Sequence, residues 1–309
     1  MRRSKAQRGV ALITVMLVVA LATTAAVNMA GRQQLDIRRT ENVLYQGQAL
    51  MYLLGVESWA RQFLSDDRRK NKIDHLGEDW AVRLPPLPIE GGQLMGYIDD
   101  LQGRFNLHNL VAKDKLGQVS RQRFTRLLQR LELNPQLVNL IQDWQDSDVE
   151  PRFPEGAEED YYLGQTPAYR TPDRPMASAS ELRLLKDLTT KDYEKLLPYV
   201  IALPEPTPIN VNTASAELLA SLADDLPLKE IEALLEKRKD NPWESVEDFL
   251  AEPVFAGREI PVEGLSVASD YFLIDATVNL GQLEQHLRSI VVRQDDGRNS
   301  VYLRSEGEI

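Results

Sequence analysis

No cysteine occurs among the 309 residues. That absence excludes a disulfide framework, a zinc–thiolate site and a cysteine nucleophile. An exported body built from this chain must therefore be held by core packing or by a bound metal. Histidine is scarce as well. His75, His108 and His286 are far apart, and none falls in a spacing such as H-E-x-x-H. No nucleophile elbow, phosphate loop or Ser/His/Asp arrangement stands out, which argues against an enzyme. Basic residues are outnumbered: 36 Lys and Arg stand against 47 Asp and Glu, a formal net charge of -11. Arg2, Arg3, Lys5 and Arg8 all sit in the first nine residues, so the remainder is more acidic still. Such a surface repels phosphates and speaks against nucleic acid as a partner, while it supplies oxygen ligands for a hard cation. Charge is missing altogether from 10–31.

That uncharged run, VALITVMLVVALATTAAVNMAG, is the first positive feature. At about 1.5 Å per residue a helix over it spans roughly 30 Å, the hydrocarbon thickness of a bilayer. The basic residues before it place the N-terminus in the cytoplasm and the body, 32–309, on the far side, although Arg32, Arg38 and Arg39 weaken the asymmetry. Three readings compete. ATTAA could serve a signal peptidase near Ala25 or Ala26. The run could be a plain single-span anchor. Or RG followed by VALITVMLVVALATTAA resembles a prepilin-type leader, 1–9, cut after Gly9 so that Val10 begins the mature chain and the apolar helix, 10–31, is retained for assembly. Periodicity favours the third. Val43, Leu44, Gly47, Leu50, Met51, Leu54, Trp59 and Phe63 recur at helical steps and extend one amphipathic helix over about 10–65. A helix half in lipid and half packed on a head is the shape of a pilin-like subunit. The face with Gly47, Ala49 and Gly55 offers close approach to partner helices.

Beyond the helix, SDDRRKNK and LPPLPIEGG read as a connector. LMGYIDDLQGRFNLHNL reads as two strands around a DDLQG turn, with Phe105 and Leu107 on the return. The period then turns helical: 120–131 with Phe124, Leu127, Leu128 and Leu131 inward, then 137–144, 180–185 and 190–197, with Thr189 or Thr190 as an N-cap. EPTP is a linker, and three more helices follow it. After Pro261 the strand period returns, and Asp296-Gly297 marks a hairpin turn. Neither set of strands closes a sheet alone, so they are expected to share one. The chain is thus read as α+β: a pilin-like long N-terminal helix on a small antiparallel sheet (32–107 and 266–309), with a large all-α domain, 108–265, inserted between strands.

Two segments could carry chemistry. DWQDSDVEPRFPEGAEEDYYLG crowds carboxylates into a loop that Pro151, Pro154 and Gly156 keep from being a helix. Repulsion among them is relieved if a cation sits between them, and D-x-D spacing on a loop suits Ca2+. A solvated acidic loop is the alternative, and the register is not that of an EF-hand. INVNTASAELLASL looks like the first half of a helix-hairpin-helix unit, a DNA-binding module of membrane-tethered receptors. Its turn, ADDLPL, lacks the glycine that brings backbone N–H groups to phosphate. From Glu205 to Glu252 roughly twelve acids face about four bases. A structural hairpin, with Asn210, Asn212 or Thr213 as a cap, accounts for it better than a receptor for DNA or an exported protein.

These segments together resemble one family over the whole chain, the type II secretion system minor pseudopilin K family. The residues that carry the resemblance are RGVALITVMLVVALATTAA, DDLQGRFNLHNL, DWQDSDVEPRFPEGAEEDYYL, RPMASASELRLLKDL and INVNTASAELLASL. The resemblance implies an inner-membrane, single-pass subunit with a periplasmic body at the tip of a secretion pseudopilus. Its implied partners are minor pseudopilins of the I, J and H types, the prepilin peptidase and, at the tip, secreted proteins; nucleic acid and an organic cofactor are not expected. It also implies structural Ca2+ in the acidic loop, with Asp146, Asp148, Glu158 and Asp160 as first candidates for ligands and Asp143 and Glu155 next. Thr14, fifth after the cut, stands where most pilin-like subunits carry Glu. A topmost subunit has no neighbour above to pair such a carboxylate, and Thr14 can bond its own helix instead.

Overall fold

The structure, a computed structural model, describes residues 6–83 and 85–307, with side chains from residue 10 onward. Arg2, Arg3 and Lys5 of the basic leader lie outside the described residues, and Gly9 falls in helical backbone. The first helix, α1 (Ala6–Lys70), runs 65 residues without a break, about a turn past its expected end. Its windowed hydropathy reaches 2.5 where none of it is buried, which makes it long and apolar enough to cross a membrane. Every side chain in 10–48 is exposed. From Ala49 the helix lies on a sheet. Ala49, Leu53, Ala60 and Leu64 are buried at steps of four, seven and four, and Glu57 fills the remaining inward position. Ala49 therefore belongs to the core, and Gly47 and Gly55 alone of the expected small-residue face remain open to a neighbour.

The strands are β1 (Leu87–Ile89), β2 (Gly92–Asp100), β3 (Phe105–Asn106), β4 (Val200–Ile201), β5 (Ile209–Asn210), β6 (Leu265–Ser266), β7 (Tyr271–Leu280), β8 (Leu283–Arg293) and β9 (Asn299–Ser305). One antiparallel sheet has the order β1-β2-β7-β8-β9, so strands from both ends of the chain do share it. Phe272, Ile274, Ala276, Val278 and Leu280 alternate along β7 and face α1. Tyr271 and Leu273 point the other way and meet Leu101, Ile201 and Leu203. Both faces of β7 are covered, as its central place requires.

Two expectations are corrected. LPPLPIEGG is not only a connector: Ile89 pairs with Gly92 across Glu90-Gly91, and Gly91, at φ +82°, permits that two-residue turn. The segment after DDLQG does not return along β2. Asp100 accepts from the Gln102 N–H at 2.8 Å and starts a 3-10 turn that takes the chain out of the sheet. β3 then pairs in parallel with β4.

Between β2 and β7 lie α2 (Lys115–Arg130), α3 (Leu137–Gln145), α4 (Glu159–Leu163), α5 (Thr190–Leu196), α6 (Ala216–Ala220), α7 (Leu228–Asp240) and α8 (Val246–Leu250). One apolar core, from Phe105 to Leu265 in sequence, holds them together, with Phe105 stacked on Phe124 at 4.8 Å. The inserted body is not wholly helical: besides β3–β4 it holds the short parallel pair β5–β6. Thr189 caps α5 as expected. Ser215 caps α6 in place of Asn210, Asn212 or Thr213, because those three side chains are engaged elsewhere.

Candidate functional site

The acidic loop leaves the end of α3. Asp143, on the last turn, is fully buried and accepts from the Arg152 backbone N–H at 3.0 Å and from its guanidinium at 2.7 Å. The same guanidinium reaches Asp146, so the chain folds back over its own helix end. Gly156 sits at the closest approach: a Cβ there would fall on Asp143 Oδ2 and on the Arg152 carbonyl. Asn139 donates to the Pro154 carbonyl at 3.0 Å and Asn134 to Glu155 Oε2 at 2.7 Å, which fasten the outer loop. The loop is thus ordered from within. Trp144 packs edge-on against Tyr162 at 5.1 Å.

This frame brings three of the six candidate ligands together. Asp146, Asp148 and Glu158 each offer a carboxylate oxygen within 4.8 Å of the others. Asp146 Oδ1 and Glu158 Oε1 are buried and have no hydrogen-bond partner. Burial, and then the charges of Asp143, Asp146, Asp148 and Asp173, raise the Glu158 carboxyl from 4.5 to about 7. Two orphaned buried oxygens and a carboxyl held back from ionising fit a site that could hold a cation. Each of the three carboxylates has an oxygen to give, the ligand type that calcium takes. Asp160 does not join them: it is exposed on α4. Glu155 faces Asn134, and Asp143 is spent on Arg152. These two frame the site rather than enter the trio.

Sequence reasoning missed a second polar centre, where the inserted body meets the sheet. Asp100 Oδ2 accepts from Asn210 at 3.0 Å, Thr213 at 2.5 Å and Ser269 at 2.7 Å. Asn210 also donates to the Asp74 carbonyl at 3.0 Å. Arg293, 2 % exposed, holds Asp74 at 2.5 and 2.6 Å, Asp67 at 3.0 Å and the Ser269 carbonyl at 2.8 Å. Asp67, Asp74 and Glu78 form a second acidic trio. Its charge is answered by Arg293, and Glu78 accepts from Trp80 at 2.6 Å. The centre ties α1, the connector, β2, β5 and β8 into one piece. Its members lie up to 226 residues apart, so no spacing could reveal it. The one legible trace was N-V-N-T at 210–213, which the sequence reading took for a helix cap.

Two family models match, both described as "Type II secretion system (T2SS), protein K", over residues 103–205 and 209–268. The type II secretion system protein K of Pseudomonas aeruginosa is 40% identical over 319 residues, covering 100% of this chain and 95% of that one. This chain belongs to the type II secretion system protein K family. The Klebsiella pneumoniae protein K is 35% identical over 93% of each chain. In the solved GspK-GspI-GspJ complex from enterotoxigenic Escherichia coli, one chain superposes with a TM-score of 0.79 at 28% identity, covering 88% of this chain and 100% of that one. The first family match contains the acidic loop, and the second contains the Asn210 side of the polar centre.

Two further places bear on what a protein K can do. Thr14 donates to the carbonyls of Val10 at 2.9 Å and Ala11 at 3.0 Å, so its hydroxyl is satisfied within α1. In the α6–α7 hairpin, the turn that would meet phosphate in a DNA-binding module is filled from α2. Arg126 clamps Asp224 at 2.6 and 3.1 Å, and Arg130 donates to the Leu226 carbonyl at 2.7 Å. The Asp224 carboxylate and the Leu226 carbonyl are therefore already used.

Proposed function

We propose that this chain is the minor pseudopilin at the tip of a type II secretion pseudopilus, where it joins the I and J subunits and starts assembly for export of folded proteins. In this reading Gly9–Val10 is the prepilin peptidase site, α1 is held in the inner membrane with its N-terminus cytoplasmic, and the body is periplasmic. The observation that carries it is the pairing of one bare apolar helix with a broad inserted body above the sheet. The helix can pack with other subunits below, while a body of that width leaves little room for a subunit stacked above. Thr14 supports the same place, because its hydroxyl needs no neighbour. The related chain solved with GspI and GspJ supports the choice of partners.

Asp146, Asp148 and Glu158 are assigned as the carboxylates that hold a structural Ca2+, with Asp143 and Arg152 fixing the loop around them. The ion would offset carboxylate repulsion and lock the loop to α3. Membrane-purified protein, with and without the peptidase, tests the reading. A mature chain beginning at Val10 only when the peptidase is present, recovered in complex with the I and J subunits, is the expected result. An uncut chain, or one cut near Ala25, removes the tip mechanism.

A further inference from the structure

We propose that the outer end of the acidic loop is a docking knob: Phe153 enters an apolar pocket on another protein, and Glu150 and Glu155 pair with lysine or arginine at the rim of that pocket. Phe153 is 96% exposed, more than any other large apolar side chain among the described residues, those of the bare part of α1 included. Val149, four residues earlier, is 73% exposed. The loop's apolar contribution to the core comes instead from Trp144, Ala157 and Tyr162. A lone exposed apolar residue is ordinary on a protein surface. What sets Phe153 apart is its mounting, because the chain is fixed on both sides of it. The Arg152 N–H donates to Asp143 at 3.0 Å, and the Arg152 carbonyl accepts from Gly156 at 2.8 Å. Asn139 holds the Pro154 carbonyl at 3.0 Å, and Asn134 holds the Glu155 carboxylate at 2.7 Å. Pro151 and Pro154 restrict φ close by. The ring therefore faces solvent from a backbone with little freedom left, and seating it in a pocket costs little ordering. An aromatic side chain that can bury about 150–250 Å2 is the residue type that anchors protein interfaces.

Charge selects the partner. Arg152 is the one cation in 147–160, and it is spent on Asp143 and Asp146. Glu150, three residues before the ring, and Glu155, two after it, are both exposed. Among the described residues no cation pairs with either. Neither belongs to the carboxylate trio, so a metal held there leaves both charges in place. An apolar knob inside an acidic ring is complementary to an apolar pocket inside a basic ring, and such a rim also sets the register of docking. An anionic lipid surface would be repelled by the same two carboxylates. A second copy of this chain is disfavoured, since it brings a net charge of -11 against the same charge.

The test uses the full chain in cells that secrete through its own system. A photoreactive phenylalanine is placed at position 153, which keeps the ring, at 149 or, as a control on the exposed side of α5, at 191. Expected is one and the same protein linked from 149 and from 153 and not from 191. Mass spectrometry of the adduct from 153 should place it on an apolar segment with lysine or arginine beside it. With the photoreactive residue at 149, Phe153→Ala should lower the yield of that adduct about tenfold or more, as loss of an interface anchor does, while Phe153→Trp keeps most of it. Glu150→Lys combined with Glu155→Gln should lower it as well; the glutamine still offers Asn134 an acceptor. The melting temperature of the full chain should be unchanged in all three variants. The proposal is overturned if 149 or 153 links only to lipid, to a second copy or to nothing, or if the linked segment is acidic or uncharged. Equal linking from 191, or an undiminished yield in Phe153→Ala or in the charge variant, overturns it too.

Discussion

Glu158 is the residue on which the metal assignment turns. A carboxyl raised from 4.5 to about 7 in the folded chain keeps its proton longer there than in the unfolded chain. The metal-free protein should therefore lose stability as pH rises from about 4.5 to 7. Calcium should reverse that trend, because it needs the ionised form. The rise in melting temperature on adding Ca2+ is expected to be small at pH 5.5 and large at pH 8. Glu158→Gln should abolish most of that rise and flatten its pH dependence; an undiminished rise would remove Glu158 from the ligand set. Asp100 makes a different prediction. Burial raises its carboxyl to about 6, against the opposing hydrogen bonds of Thr213, Ser269 and Gln102. Asp100→Asn turns an amide donor toward groups that already donate, and should cost about 1–3 kcal/mol. A denaturation midpoint that matches the unmodified protein would show the centre to be dispensable.

Among elements, α1 shows why a helix that is polar and apolar by turns can be held so firmly. Glu57 is buried on the sheet side, where Ser289 donates to it at 2.7 Å and Arg304 at 2.6 and 2.8 Å. Burial alone would raise its carboxyl, but Arg304 and Ser289 outweigh that and hold it below 4.5. The stability it contributes is present above that value and is lost as pH falls through the folded pKa. Glu57→Ala should loosen β9 from α1 and speed amide exchange in β9 more than in β7, read by hydrogen-exchange mass spectrometry. Equal protection in the variant would contradict this. The same helix marks the boundary of what could be read ahead of the structure. Its length and its apolar faces follow from local period, as do α2, α3 and the β8–β9 turn. Ala49 was assigned to an exposed face because period alone does not say which of two apolar faces meets the sheet. β3 was drawn beside β2 because a turn signal does not say where the chain goes next. In the acidic loop, residue type pointed to cation chemistry. Which carboxylates converge depends on Arg152 drawing Asp143 inward, a contact no spacing announces.

For the whole molecule, the inserted body and the membrane helix act as one piece only if the polar centre holds them together. Asn210 and Thr213 on the body reach Asp100 and Asp74 on the pilin-like part, and Arg293 links Asp74 to the end of α1. Asn210→Leu removes the donor shared by Asp74 and Asp100. It is expected to let the two parts move, seen as added flexibility in small-angle scattering of the full chain in detergent, with the helical core unchanged by circular dichroism. Scattering that superposes on that of the unmodified protein would contradict the coupling. The absence of cysteine allows the proposed tip position to be tested directly. With Lys191→Cys as the single thiol, a gold label on isolated pseudopili reports where each copy sits. One label at one end of each filament is the expected result. Labels spaced along the shaft would contradict it.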